Sequence, residues 1–171
     1  YAPVHRGVHL VRGADRDDPD IRTAVAMAAQ PDRVTLGGWA AARVHERAAL
    51  TARASRTPAD RRWPESLWFD GMPAFGRGAD AVLLLAPPEV RLARREGVRL
   101  LRSRLEEGER VLVDGVPVTS PLRTAFDLAR TSSAEGAVIG LDRLRALGLI
   151  DVGALGGLLA IAVAGGAYGM F

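Results

Sequence analysis

Cysteine is absent from the 171 residues, which excludes a disulfide framework, a thiolate zinc site and cysteine nucleophiles, and fits a reducing, cytoplasmic setting. Lysine is absent as well, because all 23 basic residues are arginine. A standard metal nuclease core, which sets a lysine among its carboxylates, therefore has no counterpart here. With three histidines and no GxSxG element, a hydrolase triad has no support either. The all-arginine usage fits codon bias in an alanine-rich chain, and a net charge of +3 permits nucleic acid as a partner without requiring it.

The chain is long enough to bury a core as one domain. Val4 to Val11 alternates as one strand, with Val4, Val8 and Leu10 on one face. His5 and His9 lie on the other face, and four residues of strand separate them by about 13 Å, too far to share one ion. Asp18 before Pro19 begins a helix with a stripe of Ile21, Ala24, Val25 and Ala28, ended by Gln30-Pro31. A short strand at Val34 to Leu36, a Gly37-Gly38 turn and a helix from Trp39 to Glu46 follow. His45-Glu46 reads as the solvated end of that helix. Thr51 to Ala79 has no period, although Trp63, Trp68, Phe69 and Phe75 anchor part of it to the body.

Ala81 to Ala86 is a buried strand closed by Pro87-Pro88, and another strand runs from Val98 to Leu105. Arg110 to Val118 forms a hairpin bent at Asp114-Gly115. Ser120 then caps a helix with Pro121 in its first turn. Leu122, Ala125, Phe126 and Ala129 form its apolar face, and Arg123 and Asp127 pair one turn apart on its surface. Ser133 caps a further helix carrying Val138, Leu141, Leu144 and Leu147, stopped at Gly148, and Asp151 can cap another. Residues Val152 to Phe171 carry no charge. Six glycines and only four leucines or isoleucines among them favour a buried apolar helix over a membrane anchor.

Two arginine clusters could meet nucleic acid. The first combines Arg61 and Arg62 with Trp63, cations beside a stacking ring. The second includes Arg99, Arg102 and Arg104 on a predicted strand, where arginines also serve simply to keep a sheet edge from pairing.

Four pieces in order, HRGVHLVRG (His5 to Gly13), LGGWAAARVH (Leu36 to His45), GVRLLRSRL (Gly97 to Leu105) and DGVPVTSPLRTAFDLAR (Asp114 to Arg130), carry a family resemblance. The chain resembles actinobacterial antitoxins of the AbiEi type, from type IV toxin–antitoxin systems, and relatives that continue into a very-short-patch-repair-like endonuclease domain. The last piece is the specific one, and Gly115, Pro117, Thr119, Ser120, Pro121, Arg123 and Asp127 are its signature. The resemblance implies the middle domain of such proteins, at 1–150, with an apolar helix at 151–171. It implies a non-enzymatic antitoxin or transcription regulator, cytoplasmic, without cofactor, catalytic residue or metal. DNA and a functionally paired nucleotidyltransferase toxin are the implied partners. Two alternatives stay open: the accessory domain of a truncated endonuclease that has lost its catalytic module, and a membrane-anchored interaction module. The fold expected is α+β, a mixed sheet of five or six short strands with helices on one side.

Overall fold

A computed structural model of the chain describes residues 2–5, 7–28, 30–56, 67–70, 81–151, 153 and 156–157. The elements run β1 (Ala2–His5), β2 (Val8–Leu10), α1 (Pro19–Met27), β3 (Thr35–Gly37), α2 (Gly38–Arg56), β4 (Val82–Ala86), β5 (Val98–Arg102), β6 (Arg110–Val113), β7 (Val116–Thr119), α3 (Pro121–Thr131) and α4 (Ala134–Ala146). Five strands form a mixed sheet in the order β5-β4-β3-β7-β6, and β1 and β2 pair separately. This is the expected α+β class, with helices on one side of the sheet and two of them at its C-terminal end. The expected helix at 151–171 falls almost wholly outside the described residues, although Asp151 Oδ1 does accept the Gly153 N–H at 2.6 Å as a cap would.

Register fixes the two faces of the sheet. Leu36 lies opposite Leu84 and Val118, and Leu84 opposite Leu100. These four point one way and join Ala125 and Leu128 of α3 and Leu144 of α4 in or against a single core. Every residue of β4 is buried, as the unbroken apolar run required, and each of its valine and leucine side chains contributes about 1.5–3 kcal/mol. Thr35, Leu85 and Leu101 point the other way.

Turn chemistry matches the sequence closely. Asp114 and Gly115, at φ 50° and 79°, make the two-residue type I′ bend that matches the twist of the β6–β7 hairpin. Ser120 accepts the Arg123 N–H, with Pro121 in the first turn, and Asp18 accepts from Asp20 and Ile21 to cap α1. Asp20 in turn accepts a bidentate pair from one edge of the Arg43 guanidinium, Nε to Oδ1 at 2.8 Å and Nη2 to Oδ2 at 3.0 Å, and tethers α1 to α2. That pairing, led by the Arg43 hydrogen bond, holds its carboxyl down at about 2.

Several boundaries differ from the sequence reading. The single strand expected from Val4 to Val11 is instead two antiparallel strands, β1 and β2, with Gly7 at φ 78° between them. The buried position of α1 is Ala26 instead of the predicted stripe, since this nine-residue helix meets the sheet at β4 and little of its length reaches the core. Helix α2 continues to Arg56, ten residues past the predicted end, while β5 stops at Arg102. On α4 the close-packed face is Ala137, Gly140, Leu144 and Leu147, and Val138 is exposed. Small residues won there because they let α4 approach α3.

Strand β3 passes into α2 without a loop. Gly38 opens the helix at φ 57°, and a Cβ on it would stand 3.3 Å from Leu83 Cβ. Gly38→Ala is expected to lower stability by about 1–2 kcal/mol, the cost of a side chain in the left-handed region. Urea unfolding checks this, since the midpoint should fall at constant m-value.

Candidate nucleic-acid interface

The surface that could meet a ligand is held by an ionic lattice beneath it. Helix α3 buries Arg123, Thr124, Ala125, Phe126, Asp127 and Leu128 in succession, so it is enclosed on nearly all sides. Arg123 and Asp127, expected as a surface pair, are 2% and 0% exposed. Segment 103–109 runs from β5 to β6, the two edge strands, and closes over the Arg123 guanidinium as it crosses the sheet. Arg123 Nη1 donates to Glu109 Oε2 at 2.8 Å, Nη2 to Ser103 Oγ at 3.1 Å and Nε to Asp127 Oδ1 at 3.2 Å. Arg130 donates to the same Asp127 oxygen through Nη2 at 2.6 Å, and both guanidinium groups lie over the Phe126 ring. Burial pushes the Asp127 carboxyl up, against the pull of Arg123 and Arg130.

The second correction concerns His45 and Glu46, which are buried at 4% and 0% exposure. His45 Nε2 lies 2.7 Å from the Thr119 carbonyl. A carbonyl only accepts, so Nε2 carries the proton. Glu46 Oε1 receives Arg143 Nε at 2.7 Å, while Oε2 accepts the backbone N–H groups of Trp68 and Phe69 at 2.8 and 3.3 Å. Phe69 is fully buried and Arg143 lies over the Trp68 ring, so residues 67–70 are clamped to α2 and α4. This matches the expected anchoring at Trp68 and Phe69. The signal was present in the spacing: Trp39, Ala42 and Glu46 recur at three and four residues along one face of α2. Polarity concealed it.

Of the predicted contacts, Arg61, Arg62 and Trp63 lie outside the described residues. Arg99 is exposed on edge strand β5, opposite Leu83. Arg102 is three positions on and thus on the opposite face, and its Nη1 donates to the Pro87 carbonyl at 3.4 Å and to that of Val90. Arg104 is exposed beyond the strand, 3.5 Å from Glu89. Arg91 and Arg94 are exposed before it, and Arg95 is tied to the Ala28 carbonyl at 3.0 Å. From Arg91 to Arg104 the chain thus carries six arginines against one acid, Glu96. Arg95 and Arg102 brace the backbone, Arg102 from an exposed position, whereas Arg91, Arg94, Arg99 and Arg104 are exposed without such a role among the described contacts.

Next to Arg104 the sheet opens into a groove of about 410 Å³, bordered by Arg33, Thr35, Glu89, Ser103, Arg104 and Arg110. Ser103 is thus shared between the groove wall and the buried Arg123. No protein-family model, curated protein or solved structure matches the chain.

Two outcomes test the lattice. Arg123→Met leaves Asp127 and Glu109 short of a partner and is expected to cost about 3–5 kcal/mol in chemical denaturation, part of it restored by adding Asp127→Leu. Burial lowers the His45 pKa, whereas an unfolded histidine titrates near pH 6.5. Below that pH the unfolded chain takes up a proton that the folded one resists, so stability is full above about 6.5 and falls on acidification. Melting temperatures between pH 7 and 5 should decline, and His45→Gln should flatten the decline.

Proposed function

We propose that the chain is a non-enzymatic antitoxin or transcription-regulator domain of a type IV toxin–antitoxin system, acting in the cytoplasm and contacting DNA through arginines. The observation that carries the DNA contact is the exposed arginine set Arg91, Arg94, Arg99 and Arg104, gathered along one sheet edge and its flanks. Guanidinium groups displayed in a row engage phosphates and release counterions. The antitoxin role rests on the signature at Asp114 to Arg130 and takes as partner a nucleotidyltransferase toxin, paired by function and without need of direct contact.

Fluorescence titration of a labelled duplex at two salt concentrations tests the contact. Micromolar binding that weakens with salt is expected, and Arg94→Ala or Arg99→Ala should each reduce the slope of log K against log salt by about one. Binding that is absent in the micromolar range, or insensitive to salt, overturns this reading. For the antitoxin role, a nucleotidyltransferase gene adjoining this one is expected, and a neighbourhood lacking it counts against the role.

A further inference from the structure

The groove beside β3 and β4 carries its own internal anion. Glu89, half-exposed, receives Arg33 Nη2 at 2.8 Å and lies 3.5 Å from Arg104 Nη2. The two guanidinium groups come from before β3 and after β5, so they converge on this carboxylate from separate parts of the chain. The turn that presents Glu89 is fixed, because the Val90 N–H donates to the Pro87 carbonyl at 3.0 Å and Arg102 donates to the carbonyls of both residues. Arg110, also at the mouth, donates to the Asp32 carbonyl at 2.9 Å. Leu85, Pro87 and Leu105 supply apolar wall. In the same wall Thr35, 1% exposed, has an Oγ1 without a hydrogen-bond partner among the described residues. A buried hydroxyl left so is costly, and its position beside a cavity is where a ligand atom would satisfy it.

We infer that this groove binds a phosphate ester with an apolar or heteroaromatic body, the phosphate replacing Glu89 between Arg33 and Arg104. A monocarboxylate would gain nothing over Glu89, which is tethered in place at high effective concentration. A phosphate brings a second charge and a third oxygen to two guanidinium groups, which is enough to displace it. The volume exceeds what a bare anion fills and falls in the lower part of the range of about 300–1,000 Å³ for small-molecule sites. The body rests on Leu85, Pro87 and Leu105, and a polar atom at its edge meets Thr35. Such a ligand is a free nucleotide or the phosphorylated end of a strand. This site shares Arg104 with the proposed DNA-contacting edge, whereas Arg33 and Glu89 belong to the groove alone and Arg91, Arg94 and Arg99 take no part in it.

Calorimetric titration of the whole chain with AMP, inorganic phosphate, and 5′-phosphorylated and 5′-hydroxyl single-stranded octanucleotides tests this. AMP is expected to bind more tightly than inorganic phosphate. Removing the competing charge in Glu89→Gln should tighten AMP about fivefold, while Glu96→Gln, which deletes the same charge elsewhere among the arginines, should leave it unchanged. Arg33→Ala and Arg104→Ala should weaken AMP about tenfold or more. Thr35→Val should weaken it without lowering the melting temperature, because it removes an unsatisfied group at constant shape. A phosphorylated octanucleotide that outbinds both AMP and its 5′-hydroxyl form assigns the site to strand ends, and AMP binding as tightly assigns it to free nucleotides. The proposal fails if AMP binds neither the wild type nor Glu89→Gln, if inorganic phosphate binds as well as AMP, or if Glu89→Gln and Glu96→Gln act alike.

Discussion

The buried guanidinium of Arg123 is the constraint on which the remaining structure depends. It is a full charge taken out of water and repaid by three hydrogen-bonding partners on different elements: Asp127 on its own helix, Glu109 before β6 and Ser103 after β5. Removal of either carboxylate would leave charge poorly compensated in a low-dielectric interior, and removal of Ser103 would leave a guanidinium N–H unpaired. Helix, edge strands and crossing segment are therefore fixed relative to one another by geometry that hydrophobic packing alone would not specify. The groove inherits this rigidity through Ser103, and the arginine edge inherits it through the strand that Ser103 follows.

A second ionic centre works in parallel on the other helices. Glu46 accepts from Arg143 of α4 and from the backbone at Trp68 and Phe69, and so joins three stretches far apart in sequence. His45, its neighbour, reaches the carbonyl of Thr119. Consecutive residues of α2 thus address the end of strand β7 and helix α4, one through a ring N–H donor and one through a carboxylate.

What could be read in advance was whatever local chemistry decides. The Asp114-Gly115 bend, the Ser120 and Asp18 caps, the stop at Gly148 and the buried run of β4 all follow from backbone preferences or an apolar pattern confined to a few residues. What stayed hidden was long-range polarity. Arg123, Asp127, Glu46 and Arg143 look like surface residues because charged side chains are rarely buried, and their burial is licensed only by partners brought in by the tertiary fold. The helix period did place Glu46 in line with Trp39 and Ala42, so the face was legible even where the burial was not. For the candidate interface, the arginine cluster was visible as composition. The division between its backbone-bracing members and the others depends on strand parity and on the Pro87–Val90 turn, which only the assembled sheet reveals.

The strand order has a consequence for how the molecule is made. Its central strand, β3, pairs in parallel with β7 at Leu36 and Val118, so one side of the sheet's centre waits for a strand synthesised long after its partner. Until β7 emerges, β3 and β4 present an open antiparallel edge with two fully buried leucines, Leu36 and Leu84, uncovered by α3. Such non-local pairing slows folding. The β6–β7 hairpin and α3, contiguous in the chain, cover that edge and bring strand, cap and buried arginine to it together.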